Sequence, residues 1–219
     1  MKWQNAINDY KDFLLIERGL SKNSINSYVR DINKLTLYLD ENHFSVSPLE
    51  ISNTIIKDFI YSTAKELQPR SQSRLISGLK SFFNFLIFED YITTNPLDLI
   101  ESPKIGRKLP YTISTYEIDL LISMIDLSHP QGERNRTILE LLYSCGLRVS
   151  ELINLQLSDL FFEEGFIRVI GKGNKQRFVP INYLTIKYIN TYINEIRVHQ
   201  TPKKGFEDTL FLNRRGKML

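Results

Sequence analysis

Between Ile7 and Ile87 apolar residues recur three and four positions apart in successive runs, a spacing that predicts helices rather than strands. Ile7, Tyr10, Phe13 and Leu14 form the first run, which Gly19 ends. Ser21 is suited to cap a second helix carrying Ile25, Tyr28, Val29, Ile32, Leu35 and Leu39, and Ser52 a third carrying Ile55, Ile56, Phe59 and Ile60. Pro69 opens a fourth, with Leu75, Ile76, Leu79, Phe82, Phe83, Leu86 and Ile87 facing inward, and Asn95-Pro96 is expected to stop it. Stripes of this width can bury one another, so residues 1–100 are expected to form a four-helix domain. On the fourth helix Arg70, Arg74, Ser77 and Ser81 avoid the apolar stripe and line one polar, basic edge, which suits contact with phosphates.

The composition then changes. ESPKIGRKLP (residues 101–110) holds two prolines, a glycine and three cations without periodicity, and reads as an extended basic linker between domains. Beyond it, Ser114 followed by Glu117 forms a capping box before Ile118, Leu121, Ile122 and Ile125. A second helix carries Ile138, Leu139, Leu142 and Cys145, and Gly146 is placed to end it. A hairpin follows, then a helix with Ile186, Ile189, Ile193 and Ile196 on one side, and finally DTLFLNRRGKML, a short strand and a basic turn. The chain is therefore expected to be mainly α, with a second, α+β part over residues 111–219 that contains a small antiparallel hairpin.

Composition excludes several classes. No apolar run approaches the roughly 18 residues of a membrane helix, and the N-terminal MKWQNAINDYKDF lacks the apolar core of a secretory leader. The single cysteine, Cys145, rules out an internal disulfide and a cysteine-built zinc site, and a reducing cytoplasmic setting is expected. Net charge, +3, decides little, but its distribution is uneven. From Phe166 to Lys187 there are five cations and no acid, and from Leu67 to Phe88 three cations and no acid. Segregated basic stretches of this kind suit local polyanion contacts, and they suit solvated faces equally.

The hairpin FIRVIGKGNKQRFVPI carries the densest of these stretches. A two-residue loop at Gly173-Asn174 would pair Lys172 with Lys175 and Ile170 with Arg177. Strand alternation then puts Arg168, Lys172, Lys175 and Arg177 on one face and Ile167, Val169 and Phe178 on the other. Only an odd-length loop would break that parity. Like charges on paired strands repel, and a phosphate backbone laid against them would turn the repulsion into attraction by releasing counterions. As a nucleotide fingerprint GKG is poor, because the third glycine is missing and no helix follows directly. Upstream, Arg148 follows the helix-breaking Gly146 and stands among the apolar Leu147, Val149 and Leu152. Its planar fork could grip two phosphate oxygens beside the N-terminus of the next short helix, or pair with Glu151.

SCGLRVSELINLQLSDL followed by FIRVIGKGNKQRFVPI resembles the central signature of the tyrosine site-specific recombinases of the XerC/XerD type, within the phage-integrase superfamily. GLSKNSINSYVRDINKLTLYL and RLISGLKSFFNFLIFEDYITTNP resemble that family's helical, SAM-like core-binding domain. The resemblance implies a site-specific recombinase that cuts and rejoins double-stranded DNA through a 3′-phosphotyrosine intermediate without metal or nucleotide cofactor. It implies resolution of chromosome dimers, by homo- or hetero-tetramers on the recombination site, with a septal DNA translocase as activator. Carried over by position, Arg148 matches the first phosphate-binding arginine and Lys172 the general acid, while Arg70, Arg74, Arg168, Lys175 and Arg177 are the expected DNA contacts.

One expected part is missing from these 219 residues. His43, His129 and His199 are followed three places on by Val46, Gly132 and Pro202, so no H-x-x-R motif is present, and no tyrosine lies after Tyr192. The sequence is thus expected to be C-terminally truncated, inactive alone, and to leave apolar surface exposed around Ile138 or Ile189. A mobile-element integrase and a non-catalytic DNA-binding relative are the alternatives.

Overall fold

The computed structural model describes residues 1–106 and 109–219, and of Lys172 the backbone alone. The chain divides into two compact units, Met1–Leu109 and Pro110–Leu219. The first is built from α1 (Trp3–Asp12, continued by a wider turn to Glu17), α2 (Lys22–Glu41), α3 (Asn53–Ala64) and α4 (Pro69–Phe88). Ser21 and Ser52 each accept the backbone N–H three residues on, and Pro69 sits at the start of α4, as their sequence positions predict.

The apolar stripes converge on one core that includes Ile7, Tyr10, Ile32, Leu35, Phe59, Leu75, Phe82 and Phe83. Tyr10 takes its hydroxyl into that core and donates to Ser81 at 2.8 Å, and burial pushes its pKa to about 12. Helix α4 ends at Phe88, well before Asn95-Pro96, because Asp90 adopts a left-handed φ of 58°. Asn95 instead closes a later turn: its amide donates to the Lys80 carbonyl and the Asn84 side chain, and its side-chain oxygen accepts the Leu97 N–H. That turn returns Leu97 and Ile100 to the core. Residues 107 and 108 of the proposed linker lie outside the described residues.

The second unit contains α5 (Thr115–Ser123), α6 (Gly132–Cys145), α7 (Val149–Ile153) and α8 (Tyr183–Thr191) around a three-stranded antiparallel sheet. Its strands β1 (Leu160–Phe161), β2 (Phe166–Ile170) and β3 (Gln176–Pro180) pair in chain order. The Ser114/Glu117 capping box is formed. Gly146 ends α6 with φ 58° and ψ 36°, a conformation that a side chain disfavours. Leu141, Leu152, Ile167, Val169, Ile189 and Phe211 make the core.

Two expectations are corrected here. Ile189 is fully buried and Ile138 packs against the core, so neither marks uncovered apolar surface. Exposed apolar side chains lie on α5 at Tyr116, Leu120 and Leu121 and just past it at Met124, on α6 at Tyr143, and at the start of α8 at Tyr183 and Leu184, and α5 buries no residue. The hairpin also has a different register. Ile170 pairs with Gln176, Val169 with Arg177 and Arg168 with Phe178, so five residues, Gly171–Lys175, form the loop. The Gly171 N–H donates to the Lys175 carbonyl at 2.8 Å and closes it.

An odd-length loop moves every side chain of β3 to the opposite face from the one a two-residue loop would give. Arg177 thus lies on the face of Ile167 and Val169, and Phe178 on the outer face beside Arg168, edge-on to Phe166 at 4.8 Å. The two arginines do not share a face. Buried carboxylates on both sides explain why this register is tolerated: each arginine finds one.

Candidate functional site

Arg148 is the residue immediately before α7, with extended backbone (φ −73°, ψ 150°), and its side chain is 72% exposed. The left-handed turn at Gly146 breaks α6 there, and Leu147 is buried, so the chain presents Arg148 outward from a fixed anchor. Three residues on, Glu151 is only 4% exposed. One of its carboxylate oxygens accepts Arg148 Nη1 at 2.8 Å and Arg177 Nη1 at 2.6 Å. The other accepts the Arg148 backbone N–H at 2.9 Å and Arg177 Nη2 at 2.8 Å.

All four lone-pair positions of the carboxylate are filled. These contacts, Arg177's first, hold its pKa down to about 2 against the effect of burial, so it is ionised at any ordinary pH. Reciprocally, Glu151 raises the pKa of Arg177. Arg177 spends two guanidinium nitrogens on this bond, in the bidentate geometry that makes such pairs strong. Arg148 spends one, and its fork keeps further N–H donors facing solvent. Chemically the cluster is a guanidinium held in place from behind and open in front, able to receive an anion without giving up Glu151.

The hairpin loop reaches the same place. A side-chain carbon added at Gly171 would stand 3.2 Å from Glu151 Oε1 and 3.5 Å from Arg177 Nη1, so the loop backbone packs against the carboxylate. The next residue is Lys172, whose side chain lies outside the described residues. The turn bearing Arg148 and the loop bearing Lys172 therefore meet at Glu151.

The other expected phosphate contacts are placed differently. Arg168 donates Nε to Asp159 at 2.7 Å, and Asp159 is buried. Arg74 makes a two-pronged pair with Asp31, Nη1 to Oδ2 at 2.7 Å and Nη2 to Oδ1 at 2.6 Å, and also donates to Ser27. Asp31 has no exposure at all, and burial raises its pKa in spite of Arg74. It fits between α2 and α4 because Gly78 has no side chain there; an added carbon would overlap Asp31 Oδ2. Ser81 is occupied by Tyr10. Among the described residues, Arg70 and Lys175 are exposed and bonded to no carboxylate.

Sequence reading missed Asp31, Asp159 and the second partner of Glu151. The available signal was weak: acids at polar positions that helical or strand spacing carries toward the core.

Comparisons agree on the family. The model of the phage integrase family matches residues 112–219, and that of the phage integrase N-terminal SAM-like domain matches residues 7–90. The chain is 39% identical to the tyrosine recombinase XerD of Staphylococcus haemolyticus over 217 residues, covering 99% of this chain and 73% of that protein. It is 41% identical to the XerD of Staphylococcus aureus strain N315 over the same coverage.

The chain belongs to the tyrosine recombinase family.

In fold, this recombinase is similar to the XerH site-specific recombinase bound to its difH substrate in a pre-cleavage complex, with a TM-score of 0.69 at 22% identity. The match covers 90% of the chain but 59% of XerH. A lambda integrase (residues 75–356) dimer bound to a COC′ core site is similar at a TM-score of 0.72 and 20% identity, over 100% of the chain and 76% of that segment. Among the described residues no group of three or more His, Cys, Asp or Glu could hold a metal ion, and no helix is long and apolar enough to cross a membrane.

Proposed function

We propose that this recombinase binds a double-stranded DNA recombination site and takes part in cutting and rejoining it through a 3′-phosphotyrosine. The single observation that carries this reading is the open fork of Arg148, anchored by Glu151 where the Lys172 loop arrives. Arg148 holds the scissile phosphate and stabilises the charge that builds on it; Lys172 protonates the departing 5′-oxygen. Arg70 and Lys175, both exposed, supply backbone contacts. Arg74, Arg168 and Arg177, half-exposed but already paired, contribute the outer side of their guanidiniums at most.

The residues also need partners that this stretch does not supply: an H-x-x-R pair and a nucleophilic tyrosine. The 219 residues alone are therefore proposed to bind DNA weakly and to form no covalent adduct. Sequence kinship with the XerD proteins supports chromosome dimer resolution in the cytoplasm by a tetramer of homo- or hetero-protomers, activated by a septal DNA translocase, with mobile-element integration as the second use of the same site.

The test is Lys172→Ala in an enzyme carrying the full catalytic set. Site binding should persist and strand cleavage should fall by about a hundredfold or more, the usual effect of removing one such donor. Cleavage at the parental rate would overturn the assignment.

A further inference from the structure

The end of the second unit holds a basic cup that no part of the Arg148 site uses. Lys203, Arg214, Arg215 and Lys217, with His199, line an open cavity of about 640 Å³, and no carboxylate lines it. The contrast with the arginines at the other candidate contacts is chemical. Arg74, Arg148, Arg168 and Arg177 are each bonded to a buried acid, whereas among the described residues none of these four cations forms an ion pair. The nearest acids in sequence are engaged elsewhere, Glu207 by the Gly205 N–H and Asp208 by Ser158.

A second observation points the same way. Arg134, on α6, is 8% exposed and has no carboxylate partner; it donates to the Leu212 carbonyl at 3.0 Å and to the Gln131 and Asn135 side chains. Burial depresses its pKa, and the charge of Arg214 adds to the effect. A buried positive charge thus stands close enough to the cup to add to its field.

The cup is also rigid. The Asn213 side-chain oxygen accepts the Arg215 N–H at 2.8 Å and the Lys217 N–H at 3.2 Å. The Asn213 N–H meets the Lys217 carbonyl at 2.7 Å, and the Gly216 carbonyl accepts the Lys203 N–H at 2.7 Å. Gly216 has φ 71° and presses against the Thr201 carbonyl, where no side chain fits. A turn fixed by its own backbone loses little freedom when a ligand arrives.

We propose that this cup is a second DNA contact, receiving consecutive phosphates of a duplex backbone and adding affinity without reading bases. It rests on the reading that the chain binds DNA. The ligand chemistry is the phosphate group, and the source is the backbone rather than the free ion.

The experiment follows retention of a labelled duplex by the 219-residue chain across a salt series. Arg214→Gln/Arg215→Gln should flatten the slope of log affinity against log salt by about 2 and weaken binding roughly tenfold or more at low salt. Lys2→Gln/Lys11→Gln, an equal loss of charge in the first unit, should leave the slope unchanged. Duplex should protect Lys203 and Lys217 from acetylation, and inorganic phosphate should not. An unchanged slope in the arginine pair, with binding still weakened by Arg70→Gln, overturns the cup and leaves the DNA reading standing. Protection by inorganic phosphate without a change in slope makes it a free-anion site and also overturns it. No duplex retention by the parent chain at any salt removes both readings. All four cationic side chains are exposed and the turn is held by backbone groups and Asn213, so these variants should fold.

Discussion

Glu151→Gln tests the electrostatic centre of the catalytic-side unit with almost no change of shape. Glu151 is buried, and its two arginine partners are 40% and 72% exposed at the side chain. A carboxyl lowered from 4.5 to about 2 carries at most about 3 kcal/mol of pH-dependent stability. Solvent around the half-exposed partners screens this, so about 1–2 kcal/mol is expected. Because the folded pKa is depressed, the stabilisation is whole above about pH 4.5 and drains away as pH falls toward about 2. Glutamine has no such titration. The variant should therefore be less stable than the parent at pH 7, and the gap should narrow progressively below pH 4.5. Trp3 is the only tryptophan and belongs to the first unit, so its fluorescence should not respond and serves as an internal control. The second unit is followed by native-state amide exchange in the hairpin, where the Gly171 N–H is bonded to Lys175. A gap that stays constant between pH 7 and pH 3, or no gap at pH 7, would refute the assignment of stability to this carboxylate.

Other consequences are simpler. Arg74→Ala strips the partner from fully buried Asp31 and should destabilise the first unit by about 2 kcal/mol, allowing for the half-exposed arginine, as read by Trp3 fluorescence in urea. Arg70→Ala on the same helix should leave that transition within about 0.5 kcal/mol of the parent while weakening duplex retention. Gly146→Ala forces a side chain into the left-handed region and should cost about 1 kcal/mol in the second unit, although space there is open. Cys145 is buried with its thiol pKa raised by burial, so alkylation by iodoacetamide should be slow in the native protein and rapid in denaturant.

What could be read from sequence follows from which physical rules are local. Helix starts depend on one side chain meeting an N–H three residues away, so Ser21, Ser52 and Ser114 were legible, and so was Gly146, whose φ of 58° depends on its own missing side chain. The helical stripes are equally local. The hairpin register was not. It depends on loop length and on which acids wait on each face, and Glu151 and Asp159 come from segments 26 and 9 residues away. A shift of one residue sent Arg177 to the Val169 face and separated it from Arg168. The early end of α4 is similar, since Asn95 finds its acceptors on a helix that has already stopped. At the candidate site, the resemblance named Arg148 and Lys172, and the hub that joins their loops required coordinates.

The cations of this recombinase divide into two kinds, and the division bears on how binding and chemistry can coexist. A phosphate grip used in catalysis must hold one geometry, and a guanidinium anchored to a buried carboxylate does so at the expense of net charge. Under the proposed function Arg148, with one bond to Glu151 and a free front, is of this kind, and Arg177 is of the supporting kind. Affinity for a polyanion asks for the opposite: unpaired charge, so that each contact releases counterions. Arg70, Lys175 and the four cations of the cup have that character. Neutralising unpaired cations should therefore change the salt dependence of binding and leave stability alone. Neutralising paired ones should change stability and positioning, with little effect on the salt slope. A paired arginine such as Arg168 that, when changed to glutamine, flattened the slope by about 1 without loss of stability would break this division.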